Sequence, residues 1–80
     1  MISKLKTHKK IVGAKQVKRA LNSSNVEVVF VADDAEKKVT KDIIELCNTK
    51  QIQIIHVDTM EDLGEACGID INAAVAALLK

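Results

Sequence analysis

The sequence predicts a small α/β domain with helices on both faces of a sheet. Three observations predict it. Apolar β-branched runs alternate with stretches of helical periodicity, which is the order of strands joined by crossover helices. Apolar residues make up 48% of the 80-residue chain, enough for a folded core, and eighty residues set the limit at one domain. The core must be aliphatic, because there is no proline and Phe30 is the only aromatic.

Ile2 to Lys6 allow a short helix packed by Ile2 and Leu5. Lys9 to Val12 reads as a short strand. Gly13 then opens a helix through Leu21, with Val17, Ala20 and Leu21 at i, i+3, i+4 on its apolar face. Lys15, Gln16 and Arg19 lie opposite, with Lys18 to one side. The cluster Asn22-Ser-Ser-Asn25 stops this helix.

Val26 to Ala32 is nearly continuous β-branched sequence, as in a central strand covered on both faces. Asp33 and Asp34 end it. Val39 to Asn48 reads as a helix presenting Val39, Ile43, Leu46 and Cys47 on one face, with Ile44 beside them. Ile52 to Val57 is a second buried strand, and Thr59 to Cys67 a short helix capped by Asp58 or Thr59. Ile69 to Leu79 is ambiguous: its alanines favour helix, while an apolar run after a glycine permits strand. Read from alternation alone, the sheet is mostly parallel.

The formal charge of +1 hides an asymmetry. Residues 1–20 carry Lys4, Lys6, Lys9, Lys10, Lys15, Lys18 and Arg19 with no acid, a formal +7. Residues 21–80 hold five basic and eleven acidic side chains, a formal −6. A basic segment on a balanced chain suits a polyanion. On charge alone, a nucleic acid, a solvated tail, and a membrane surface or acidic protein all remain open.

Catalysis finds little support. Serines stand only at 3, 23 and 24, with no Gly-x-Ser-x-Gly turn, and neither a Walker sequence nor a Gly-x-Gly-x-x-Gly fingerprint occurs. His56 lies inside an apolar strand, where a hydrogen-bonded structural role is expected. Asp33, Asp34 and Glu36 follow a strand and could hold Mg²⁺, but acids that end a strand commonly serve as turn and cap residues. Cys47 and Cys67, twenty positions apart, form no CxxC pair and read as buried free thiols in a reducing compartment. The longest apolar run, Ala73 to Leu79, is too short to span a bilayer. The chain is therefore expected to be cytoplasmic and non-enzymatic, without cofactor, metal or membrane partner.

Gly13 to Arg19 is the most informative stretch. A glycine between strand and helix lets a ligand approach the backbone closely. The helix start offers unpaired N–H groups to a phosphate. Gln16 can read a base edge, and Lys15 and Arg19 can reach guanine acceptors or phosphates. An ordinary exposed amphipathic helix is the competing reading. The lack of aromatics excludes readers that stack single-stranded bases, so an RNA partner would be a folded one.

Gly13-Ala-Lys-Gln-Val-Lys-Arg-Ala-Leu21 resembles the Gly-Thr-(Asn/Lys)-(Glu/Gln)-x-x-Lys-Ala signature of the ribosomal protein L7Ae family, which binds kink-turn RNA. Leu63-Gly-Glu-Ala-Cys-Gly-Ile-Asp-Ile-Asn-Ala-Ala74 resembles that family's Leu-Gly-x-Ala-(Ala/Cys)-Gly-(Ile/Val) segment and the apolar loop after it, and Val28 to Glu36 resembles the strand and acidic turn between them. The likeness covers residues 8–80 and is closest to the bacterial, YbxF-like members. It implies a three-layer α/β/α sandwich with a small mixed sheet, in which the last segment is a strand.

The resemblance also implies a mechanism: a helix start contacts the guanines of tandem G·A pairs, and a loop covers an extruded bulge nucleotide. Carried over by position, Gly13 gives close approach, Lys15 and Gln16 contact the guanines, and Arg19 stands for the family's lysine. Glu36 touches the extruded base, while Ile69, Asp70, Ile71 and Asn72 form the capping loop. Ala14 replaces a threonine and loses a hydroxyl contact. Read from the residues alone, Ile69 and Ile71 are core packing. The expected partners are structured RNA containing a kink-turn and the ribosome, bound by a monomer. The alternative is a protein-interaction module of ribosomal or RNA-processing assemblies.

Overall fold

A computed structural model describes Lys4, Leu5 and residues 7–80. Seven elements follow in order: β1 (Lys10–Val12), α1 (Ala14–Asn22), β2 (Val26–Ala32), α2 (Lys37–Lys50), β3 (Gln53–Val57), α3 (Met60–Cys67) and β4 (Val75–Leu79). The expected helix at Ile2–Lys6 lies partly outside the described residues. Lys4 and Leu5 form one helical turn, closed by the His8 amide on the Lys4 carbonyl at 2.9 Å, and Leu5 is fully buried.

The strands form one sheet in the order β1-β4-β2-β3. Only β2 and β3 pair in parallel; β4 runs antiparallel to both β1 and β2. The mostly parallel sheet expected from alternation is thus a mixed one. The chain from α3 doubles back before β4, so the last strand enters between β1 and β2 in the reverse direction.

Two apolar layers sandwich the sheet. Val29 and Val31 of β2 and Val75 and Ala77 of β4 face Val17 and Leu21 of α1 and Ile43 and Cys47 of α2. Val28, Phe30 and Ala32, with Ala76 and Leu78, face Leu63 and Cys67 of α3. A register shift between Val26 and Val28 leaves Glu27 exposed and returns Val26 to the α1/α2 side. This architecture is an α/β/α sandwich with a mixed sheet.

The alanine-rich final segment is a strand because of where it lies. Val75 to Leu78 are buried from both sides, and Ala76 and Ala77 are small enough to let a helix layer close over each face. By contrast β3 is an edge strand, with Gln53 and His56 exposed, so its expected burial is only partial. In α2 the buried residues are Thr40, Ile43 and Cys47, while Val39, expected on that face, is 40% exposed. Cys47 and Cys67 lie in opposite layers as free buried thiols. Burial pushes both thiols up, and the Lys10 charge opposes that shift at Cys67.

The three helices end alike. Ser24, Gln51 and Gly68 have positive φ, and the next amide bonds a carbonyl five residues back: Asn25 to Ala20, Ile52 to Cys47, Ile69 to Gly64. These are Schellman closures. Among the described residues no helix is long and apolar enough to cross a membrane.

Candidate nucleic-acid interface

One end of the sheet gathers the segments singled out in the sequence. Strands β1, β2 and β3 run toward it and β4 starts from it, because β4 is antiparallel to β1 and β2. The Gly13 amide donates to the Val75 carbonyl at 2.9 Å, and the Ala32 amide to the Ala74 carbonyl at 2.9 Å. Two successive residues at the start of β4 therefore hold both the start of α1 and the turn after β2. The loop Ile69–Asn72 leads directly into the same two residues.

At the start of α1, Gly13 has φ 107° and ψ 141°, a backbone state that L side chains rarely adopt. Nothing lies within 4 Å of where its Cβ would stand, so the space beside it is open. Val17 and Leu21 bury one face of α1, and Ala14 is half-buried. Lys15, Gln16 and Arg19 are exposed on the other face, with Arg19 one turn from both of its partners. The first turn has neither an acid nor a side-chain cap, so its amides keep their donor capacity. Lys18 turns aside to Asp42 of α2 at 3.8 Å; both side chains are more than half exposed, so the pair adds little stability.

The turn after β2 is fixed by its acids. Asp33 Oδ1 lies 2.8 Å from Nδ1 of His56 on β3, and the Asp33 amide donates to the Val57 carbonyl at 2.7 Å. Asp34 Oδ1 accepts from the Met60 amide at 2.7 Å and so caps the start of α3. Both carboxylates thus hold the turn in place, and among the described residues no group of three or more metal-ligating side chains occurs. His56 is a hydrogen-bonded strand residue, as the sequence suggests. Glu36 is exposed and begins α2 without a side-chain cap bond, which leaves its carboxylate free.

The third segment rests on α3. Thr59 Oγ1 accepts from the Asp62 amide at 3.0 Å, with Glu61 and Asp62 in the first turn where the helix dipole favours acids. Gly68 turns the chain at φ 76°, and it runs back along the helix until the Ala73 amide meets the Met60 carbonyl at 3.0 Å. The loop passes so close to Gly64 that a Cβ there would collide with the Ile71 carbonyl oxygen. Ile69 and Ile71 separate in role: Ile69 is half-buried against the α3-side core, whereas Ile71 is 72% exposed. Asp70 and Asn72 are exposed on either side of Ile71, and a shallow cleft of about 340 Å³ lies between this loop and Glu61 and Glu65.

One position and two pairings escaped the reading of the sequence. Gly64 makes room for the loop; its signal was a glycine inside a helical pattern. Asp34 and the Asp33–His56 pair lock the acidic turn to α3 and β3, and only the parallel register of β2 and β3 brings them together.

The profile of the ribosomal protein L7Ae/L30e/S12e/Gadd45 family matches residues 1–80. An RNA-binding protein of Caldanaerobacter subterraneus subsp. tengcongensis is 49% identical over 69 residues, covering 86% of this chain and 84% of that protein. RNA-binding protein YbxF of Geobacillus stearothermophilus is 34% identical over 76 residues, covering 95% and 93%. The solved structure of the Giardia lamblia 15.5kD RNA binding protein matches with a TM-score of 0.91 over 99% of this chain and 70% of that one. Its 21% identity makes that likeness one of fold.

Proposed function

We propose, from the fact that this chain belongs to the ribosomal protein L7Ae/L30e/S12e/Gadd45 family, that it binds kink-turn RNA and stabilises its bent form. The observation that carries the reading is the shared anchorage at Ala74 and Val75 of the α1 start and the acidic turn, with the exposed loop leading into it. A bent duplex presents a widened groove and an extruded base within a short distance of each other, and one rigid surface can touch both.

In this reading the start of α1 enters the groove. Gly13 lets the backbone come close, and Lys15, Gln16 and Arg19 meet the guanine edges of the G·A pairs and adjacent phosphates. Ala14 contributes a close-packed backbone position without a hydroxyl. Glu36 accepts from the extruded base, and Ile71 covers it, flanked by Asp70 and Asn72. Ile69 holds the loop down from below. Phe30 is fully buried, so the protein offers no aromatic stacking platform and reads shape and edges instead. Contacts that exist only in the bent RNA shift its population toward that form.

Arg19→Ala is expected to weaken binding to a kink-turn hairpin by roughly 1–3 kcal/mol in a calorimetric titration, with an unchanged melting temperature because Arg19 is exposed. Wild-type affinity in this variant would contradict the assignment. The second reading, a protein-interaction module, draws on the 72% exposure of Ile71. Pull-down of partners that survives nuclease treatment, and is lost in Ile71→Ser, would favour it.

A further inference from the structure

The start of α2 carries a basic cluster that the site described above does not use. Lys37 and Lys38 are its first two residues and Lys41 follows one turn later; all three are exposed. Among the described residues the one lysine in an ion pair is Lys18, with Asp42, so none of the three is in one. Stability does not account for their position. The first turn of α2 holds no acid, and cations there oppose the helix dipole. Lys41 with Glu45 has the less favourable order for an i, i+4 pair.

Their place in the fold suggests what they do. Strands β1 and β2 run in the same direction, so α1 and α2 both begin at the end of the sheet where the proposed interface lies. The Lys18–Asp42 contact sets the level of one helix against the other. Lys15 lies one turn before Lys18 on α1, and Lys38 one turn before Asp42 on α2, both toward the helix starts. Glu36, assigned above to the extruded base, immediately precedes Lys37. The basic cluster therefore stands at the same end of the sheet as the proposed RNA surface on α1.

Resting on the kink-turn reading, we propose that Lys37, Lys38 and Lys41 form a second contact, a ridge that binds phosphates of the duplex flanking the kink. Lysine is a point charge with no preferred base edge, so this contact adds affinity without sequence preference. The division of labour is then spatial: α1 reads the kink, and the start of α2 holds the stem beside it.

The test uses the full chain with Lys37→Gln, Lys38→Gln and Lys41→Gln combined. Wild type and variant are titrated, across a series of salt concentrations, against a kink-turn hairpin with long stems and a control whose G·A pairs are Watson–Crick. The expected result is a log K against log salt slope shallower by about two to three, near one per lost phosphate contact. The ratio of affinities for the two RNAs should stay at the wild-type value. The melting temperature should be at or above that of wild type. Should the triple variant fail to fold, Lys38→Gln alone should lower the slope by about one. An unchanged slope overturns the ridge, whatever the wild type prefers. Failure of the wild type to discriminate the two RNAs strikes instead at the kink-turn reading, and a shallower variant slope would still support a phosphate contact.

Discussion

Gly64→Ala is expected to destabilise the protein by about 3 kcal/mol, the upper part of the range for forcing extra volume into a packed site. Two effects compete. Alanine is the better helix former by roughly 0.5–1 kcal/mol, which alone would stabilise α3. Against it stand backbone atoms: the new Cβ would collide with the Ile71 carbonyl oxygen and lie 3.1 Å from the Ile71 carbonyl carbon and 3.3 Å from Asn72 Cα. A side chain could rotate away, but a loop tied down by the Ile69–Gly64 and Ala73–Met60 hydrogen bonds must move as a unit. The collision wins. Urea unfolding should show the loss as a lower midpoint, and RNA affinity should fall even where the variant is fully folded, because Ile71 is displaced. A variant more stable than wild type would show that propensity dominates and that the loop does not rest on α3.

Gly13→Ala should cost about 2 kcal/mol for a different reason, with no collision at all. The position has open space where a Cβ would stand, so the cost is purely the backbone state at φ 107°, ψ 141°. Relief of that strain would rotate the start of α1 and stretch the Gly13–Val75 hydrogen bond. Gly68→Ala is the internal comparison. Its Cβ site is also open, but φ 76°, ψ 26° is the ordinary left-handed state, less demanding of glycine. Gly13→Ala should therefore lose more stability than Gly68→Ala in the same unfolding assay, and should also lose RNA affinity. Equal or reversed costs would mean that the backbone at Gly13 relaxes freely.

Local sequence was a good guide wherever local physics decides. The run Val26–Ala32 is a strand over those same residues, because β-branched side chains fill both faces of a central position. The helix expected over Gly13–Leu21 is α1 displaced by one residue, and Thr59 caps α3 as its residue type suggests. What the sequence could not decide depends on neighbours distant along the chain. Alanine at 76 and 77 favours helix in isolation, and only the two helix layers closing over the sheet make it a strand. Parallel alternation broke because β4 enters between β1 and β2. Val39 fits the apolar spacing of α2, yet the face that meets the sheet is set by Thr40, Ile43 and Cys47.

The proposed site divides the same way. Its basic residues and Glu36 were legible as exposed polar side chains next to turn signals. The different fates of Ile69 and Ile71 were not, since both belong to one apolar loop, and the way it folds back over Gly64 decides which points inward. Nor could the sequence show that Asp34 reaches across to α3, twenty-six positions on. The lysines at the start of α2 gave no signal in the sequence; the parallel arrangement of β1 and β2 brings the starts of α1 and α2 to one end of the sheet.

The central claim is that this surface reads a bent RNA and not merely phosphate charge. The measurement that tests it most directly is a calorimetric or gel-shift titration of the wild-type protein against a kink-turn hairpin and against the same hairpin with its G·A pairs made Watson–Crick, both at about physiological salt. The account expects strong preference for the kink-turn, by at least the factor of ten that about 1.4 kcal/mol represents. Equal affinity for the two would contradict it, and would leave the basic residues of α1 as a nonspecific polyanion contact.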